Sequence, residues 1–296
     1  MAFKESNERI DMKKWAMMTG AAVLVAVAGC RTVPITERSQ FMLSTDGSER
    51  EMGATGYSEY MDKYKVTSNA SQQELLQRVG NAIREAAGEY AADFDWEFNV
   101  LESSTVNAFC YPGGKVAVLT GIMPKFANEA EMAAVVGHEV AHAIARHSGE
   151  RISWGYLQTI GTLGFAYWGG SASQTIYGIA SEYGVMLPYS RSHESEADVI
   201  GLYLMAKAGY SPKAAMEFWQ RFGGSTSGII GELMSTHPCD ESRVANLNDH
   251  MAEAMELYRQ SPNKKGYGVK IVNGIPASGD SDVQLQQEGH FEGITL

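Results

Sequence analysis

The sequence predicts an α+β fold: a mostly helical domain with a small β-sheet or hairpin beside a central apolar helix. Three observations carry this. Apolar residues recur at helical period from Ser71 to Ala87. Apolar and polar residues alternate from Phe94 to Leu101, ahead of a Pro112-Gly113-Gly114 turn. A helix-length apolar segment then runs from Asn128 to about His147. With 296 residues, 44% of them apolar and 20% charged, the chain has the make-up of a folded globular protein. A formal net charge of -11 without any long basic run excludes nucleic acid as the main partner, because neutralising phosphates takes clustered Lys and Arg.

Lys13 and Lys14 precede an apolar run from Trp15 to Ala28. That run is short for a membrane span and has the length of a signal-peptide core. Val27-Ala28-Gly29 then lead into Cys30, in the pattern of a bacterial lipobox, where cleavage precedes a cysteine that carries the lipid. An ordinary signal peptide followed by a chance cysteine is the alternative. This places the chain at the periplasmic face of a bacterial cell envelope, held in the membrane through Cys30. Arg31 in place of an Asp after the cysteine points toward the outer membrane.

Residues 31–48 are polar and irregular. From Glu49 to Tyr64, Met52, Tyr57, Tyr60, Met61 and Tyr64 fall at helix-like spacings. Ser71 and Glu74 form a capping box for the next helix, whose apolar face holds Leu75, Leu76, Val79, Ile83, Ala86 and Ala87. Phe94, Trp96, Phe98 and Val100 mark a half-buried strand. Val106–Tyr111 and Lys115–Thr120 form a hairpin whose glycines supply positive φ. Asn128 N-caps the apolar helix, with Glu129 and Glu131 at its start and Arg146 and His147 at its end, as the macrodipole favours. Residues 155–187 read as helical pieces or a loop and hold no uninterrupted membrane-length apolar run. Further helices start near His193, ending before Gly209, at Ser211-Pro212, and at Glu241, ending near Tyr258.

The chemistry centres on His138-Glu139-Val140-Ala141-His142. Two histidines four apart project from one helix face, a rigid pair of imidazole donors for zinc. Glu139 is displaced around the helix and can act on a water as general base. The helix is apolar all round and therefore buried, and buried histidines need partners. The third ligand has to come from another element, and Glu194-Ser195-Glu196-Ala197-Asp198 offers it. Glu194 and Asp198 share a face, so Glu194 can bind the metal while Asp198 accepts the second ring N–H of a histidine ligand. Glu196 points elsewhere, as a solvated or structural carboxylate. His193 is an alternative metal contact.

HExxH followed by ExxxD is the gluzincin arrangement. Asn107-Ala108-Phe109, Pro112-Gly113-Gly114-Lys115, Thr120-Gly121, the HExxH helix, Glu194 to Asp198, and Ser235-Thr236-His237-Pro238 occur in order. Together they resemble the metalloendopeptidase family of HtpX, BepA, LoiP and the CAAX prenyl proteases, over roughly residues 49–260. The lipobox and the lack of obvious spans are most similar to its LoiP and BepA branch. The resemblance implies a mostly helical gluzincin-like domain holding one catalytic zinc. It also implies an edge strand at Asn107 and Ala108 that pairs with extended polypeptide substrates. His237 is implied to approach the zinc, as a fourth ligand at rest or as a donor to the oxyanion. Arg243 supports that loop or the oxyanion, or makes a surface salt bridge.

The expected function is zinc-dependent hydrolysis of peptide bonds in misfolded or unassembled cell-envelope proteins. The competing reading is a chaperone-like polypeptide-binding scaffold with structural zinc; Glu139 favours the enzyme, since structural zinc needs no base. Cys110 and Cys239 either form a disulfide over the cleft or stay as two thiols. The chain thus divides into a lipoprotein-type signal peptide (1–29), a tether (30–48), a zinc metalloprotease domain (49–264) and a disordered tail (265–296).

Overall fold

The computed structural model describes residues 29–160, 162, 187–223, 237 and 241–277. Residues 1–28 of the expected signal peptide, most of 155–187 and Cys239 lie outside the described residues. Among those described, no helix is long and apolar enough to cross a membrane.

Helix α1 (Asp46–Lys63) opens with a capping box made by Thr45 and Ser48. Its buried stripe is Glu49, Gly53 and Tyr57, and Met52 is exposed. Gly53 sets this choice: a Cβ there would lie 2.2 Å from the carbonyl oxygen of Pro112, so the helix lies directly on the hairpin turn. Helix α2 (Ala70–Ala87) is capped by Asn69, which accepts from the backbone N–H of Gln72, and not by Ser71. Starting the helix earlier buries Gln72, which donates to the carbonyl of Gly274 at 2.8 Å.

The sheet has three strands, with Lys115–Leu119 between Glu97–Leu101 and Ala108–Tyr111. β3 (Glu97–Leu101) runs parallel to the central β5 (Lys115–Leu119), and β4 (Ala108–Tyr111) runs antiparallel to it. Gly113 and Gly114 have φ of 91° and 88°, the left-handed conformation the turn requires. Leu119 N–H donates to Asn107 O at 3.0 Å, which fixes the phase of the ladder. Asn107, Phe109 and Tyr111 therefore face β5 with their backbone groups, while those of Ala108 and Cys110 point to the outer edge.

Helix α3 (Glu129–Ile144) is buried along its whole length. Asn128 caps it as expected, and the Glu131 carboxylate returns to the N–H of Ala127 at 2.7 Å. It stops short of His147: Arg146 has φ 56°, and the chain turns into a separate helical stretch, 147–160. Helix α4 (Leu187–Lys207) begins earlier than expected and ends before Gly209, whose φ of 89° suits the residue after a helix. Helix α6 (Glu241–Gln260) packs over it, and helix α5 (Lys213–Gly223) packs against α3 and α6.

Two expected boundaries change. Residues 30–48 are not an irregular tether: Cys30–Thr32 (β1) and Ser39–Phe41 (β2) form an antiparallel hairpin on the domain, with Val33 fully buried. The described part of the expected tail is ordered to residue 277. Ile271–Val272 (β6) pairs with Ile275–Pro276 (β7), and the carbonyls of Val269 and Tyr267 accept from the N–H groups of Glu129 and Ala130. The first turn of a buried helix needs such acceptors, and this segment supplies them.

Candidate metal centre

Two glycines bring the halves of the site together. A Cβ on Gly137 would lie 3.0 Å from Gly201 O, and one on Gly201 would lie 2.8 Å from His138 N. Helices α3 and α4 thus cross in backbone contact one residue before His138. This crossing sets the histidine pair of α3 against the carboxylates of α4. His237, from the segment before α6, closes the third side.

Four side chains converge: His138, His142, Glu194 and His237, each offering a ligand atom within 4.8 Å of the others. His138 Nε2 is 3.1 Å from His142 Nε2, 3.3 Å from His237 Nδ1 and 3.3 Å from Glu194 Oε2. Glu194 Oε1 is 3.4 Å from His142 Nε2, and Oε2 is 3.0 Å from His237 Nδ1. Zinc bound tetrahedrally at its usual N and O distances separates its ligands by about 3.3 Å, so this donor set fits the ion. His138 Nδ1 faces Asp198 Oδ1 at 3.0 Å, so with a cation in the ring the proton is held on that side and Nε2 turns its lone pair toward the other donors. A cation satisfies that convergence.

The electrostatics point the same way. Burial disfavours a charged His138, but Asp198 and Glu194 outweigh it and push its pKa up to about 9. Burial, together with the neighbouring histidines, holds His142 well below its ordinary value against the pull of Glu194. Burial also opposes ionisation of Glu194, yet hydrogen bonds with His138 and His237 keep its carboxyl below the usual range. The pocket is built to hold one positive charge among ionised carboxylates.

Glu139 stands beside this ring, not in it. It is 4% exposed, and its Oε1 is 3.4 Å from His237 Nε2. Burial raises its pKa, partly offset by His237 and His138. Strand β4 flanks it: burial pushes the Cys110 thiol pKa up, and the nearby Glu139 adds to the rise.

Arg243 is a buried partner of the site, 3% exposed, and not a surface ion pair. It grips Asp198 through two bonds of 2.7 Å and donates to His237 O at 3.3 Å. Asn107 and Ala108 lie at the start of β4 with their side chains buried. The Asn107 side chain accepts from the N–H of Ala108 at 2.9 Å, so that edge donor is already used. Glu196 is not solvated: at 7% exposure it binds Arg38 and His147. His193 is buried but pairs with Glu150, outside the donor ring. Cys110 carries no disulfide among the described residues; Cys239, with which the sequence left both a disulfide and two separate thiols open, lies outside them.

Sequence reasoning missed Trp219 and His147. Trp219 packs tilted against His138, with ring centroids 5.4 Å apart, and lies under the Arg243 guanidinium at 4.6 Å. His147 is fully buried, with Nδ1 2.8 Å from His142 Nδ1 and Nε2 2.9 Å from Glu196. Its position five residues after a ligand was the available signal, obscured by reading it as the charged end of the helix. Burial lowers its pKa to about 4, against the pull of Glu196, so it is neutral near pH 7.

Residues 70–251 match the model of "Peptidase family M48". The chain is 34% identical over 230 residues to the "Mitochondrial metalloendopeptidase OMA1" of Schizosaccharomyces pombe, covering 75% of this chain and 66% of that one. It is 28% identical over 279 residues to the human "Metalloendopeptidase OMA1, mitochondrial", covering 85% and 52%. The "Beta-barrel assembly-enhancing protease" of Escherichia coli is 23% identical over 273 residues, covering 88% and 55%. The chain thus spans about half to two thirds of these relatives' lengths. The expected placement at the periplasmic face of a bacterial envelope is overturned by the first and second of these. The relatives at higher identity are mitochondrial proteins of fungi, a plant and animals.

Proposed function

Since the chain belongs to peptidase family M48, we propose that it is a zinc-dependent endopeptidase acting on misfolded or unassembled proteins. The observation that carries this reading is a buried carboxylate, Glu139, placed beside a converging donor ring without joining it. A purely structural metal has no use for that group.

In this reading His138, His142, Glu194 and His237 hold zinc, with His237 the fourth donor at rest. Asp198 orients His138, and Arg243 holds Asp198. Zinc supplies Lewis acidity, polarising the scissile carbonyl and making water acidic near neutral pH. Glu139 takes the proton of the attacking water and returns it to the leaving amine; its raised pKa suits both steps. An extended substrate pairs with the outer edge of β4, where the backbone groups of Cys110 and the carbonyl of Ala108 face outward. Such pairing selects extended, unfolded chain over any one side chain. The name of the Escherichia coli relative, which refers to β-barrel assembly, supports unassembled proteins as the substrate class.

Withdrawal of His237 opens the site, so the enzyme is latent until a polypeptide is engaged. A closed four-donor ring also suits the second reading, a scaffold with structural zinc. The purified chain is therefore expected to contain one zinc and to cleave casein, to stop with a chelator, and to resume when zinc is returned. Cleavage unchanged by complete zinc removal would sink the proposal. Zinc binding without cleavage, but with suppressed aggregation of unfolded proteins, would establish the scaffold.

A lipid on Cys30 is the second part of the proposal. Its support is the Val27-Ala28-Gly29-Cys30 pattern and an exposed cysteine at the first position of β1. Cys30→Ala is expected to shift the protein from the membrane pellet to the soluble fraction with casein cleavage retained. An unchanged distribution would remove the anchor.

A further inference from the structure

The two histidine donors of α3 are backed differently. His138 is held directly, by Asp198 and then Arg243. Behind His142 stands a longer chain of contacts. Its Nε2 faces the donor ring, so its proton sits on Nδ1, and among the described residues the atom placed to receive it is His147 Nδ1 at 2.8 Å. His147 Nδ1 is then a lone pair and its proton is on Nε2, which donates to Glu196 Oε2 at 2.9 Å. Glu196 is held by Arg38, through Nε at 2.9 Å and a second nitrogen at 2.8 Å, and by the hydroxyl of Thr36. Each tautomer follows from the one before it.

The relay is also clamped sideways. His193 stacks on His147 with centroids 4.1 Å apart and planes within 10°. His193 Nε2 meets Glu150 Oε2 at 2.9 Å, and Arg38 reaches the same carboxylate at 2.7 Å. His147 and Glu150 are fully buried, His193 is 1% exposed, and Arg38 sits at the rim. Buried polar groups paired in this way hold a fixed geometry. Arg38 belongs to the β1–β2 hairpin, eight residues after Cys30.

We propose that His147 and Arg38 are positioning residues for the metal centre, through which the N-terminal hairpin sets the orientation of His142. This rests on reading the four-donor cluster as a zinc site. The hairpin is then an outer part of the active site, and pulling it away loosens the metal. Partners of this kind affect metal affinity roughly 10–100-fold when removed.

The test measures zinc dissociation constants of the full chain by chelator competition, a readout independent of hydrolysis. His147→Leu and Arg38→Met are each expected to weaken zinc roughly 10–100-fold. His147→Asn, which keeps an acceptor where Nδ1 stood, is expected to recover part of the loss. The double variant Arg38→Met/His147→Leu is expected to lose no more than the weaker-binding single, because a serial relay breaks once. Affinities within about twofold of the parent, or fully additive losses, would overturn the proposal. The parent gives a second readout that survives any folding failure of the variants. Nitrogen NMR of the zinc-loaded protein should find His147 protonated on Nε2 alone, and a proton on Nδ1 overturns the relay. A parent chain that takes up no zinc overturns the metal reading and this one with it. A zinc-binding parent with unmoved variants overturns this one only.

Discussion

Glu139→Gln is expected to bind zinc as tightly as the parent and to cleave casein about 10²–10⁴-fold more slowly. The substitution keeps the size of a side chain that is 4% exposed, so the packing of α3 is preserved. It removes the one function an amide cannot supply, which is to take a proton. Zinc affinity is the internal control, because Glu139 lies outside the donor ring and touches it only through the 3.4 Å approach of His237 Nε2. Two measurements decide it: zinc content after dialysis, and the initial rate on a labelled casein. Full cleavage by a zinc-loaded variant would end the assignment of Glu139 as the base. Loss of zinc along with activity would show instead that Glu139 belongs to the metal's support.

The features legible in the sequence were those with short-range causes. The HExxH helix was legible because its pattern is local, and Glu194 and Asp198 because helical spacing places them on one face. The hairpin was legible because Pro112-Gly113-Gly114 demands positive φ. The N-cap of α2 was misplaced because Ser71 satisfied the local rule, while Gln72 was drawn inward by Gly274, about 200 residues away in the chain. The tether and tail were misjudged for the same reason. Polar, glycine-rich segments look unstructured until their distant partners are known: Glu150 and Glu196 for Arg38, and the open N–H groups of α3 for residues 267–269. For Glu196 and Arg243 the sequence left a surface and a structural role both open, because charge alone says nothing of burial. Their partners come from elements far off in sequence. The residues of the innermost ring and Asp198 were therefore readable, whereas the partners of Glu196, His147 and Arg38 were not.

The same long-range logic makes Gly201→Ala the other large effect. A Cβ there would stand 2.8 Å from His138 N and 2.9 Å from Gly137 C and His138 Cα. These are backbone atoms of a helix buried on every side, so no side chain can swing away to make room. The two helices must move apart by several tenths of an ångström, at a site whose donors are spaced at 3.0–3.4 Å. Overpacking of this kind costs about 1–3 kcal/mol, which for a domain of this size lowers Tm by roughly 2–12 °C. Since the displaced atoms carry His138 away from Glu194, zinc affinity is expected to fall as well, by more than the change in stability alone produces. Gly155→Ala is the matched control. Its Cβ meets nothing within 4 Å in the helical stretch 147–160, so the gain in helix propensity should leave Tm unchanged or slightly higher and zinc binding untouched. Thermal melts of the zinc-free chains and chelator competition on the loaded ones separate the two effects. A Gly201→Ala protein matching the parent in both would mean the crossing of α3 and α4 does not set the metal geometry. Loss confined to Tm would mean the donor ring adjusts independently of the helices that carry it.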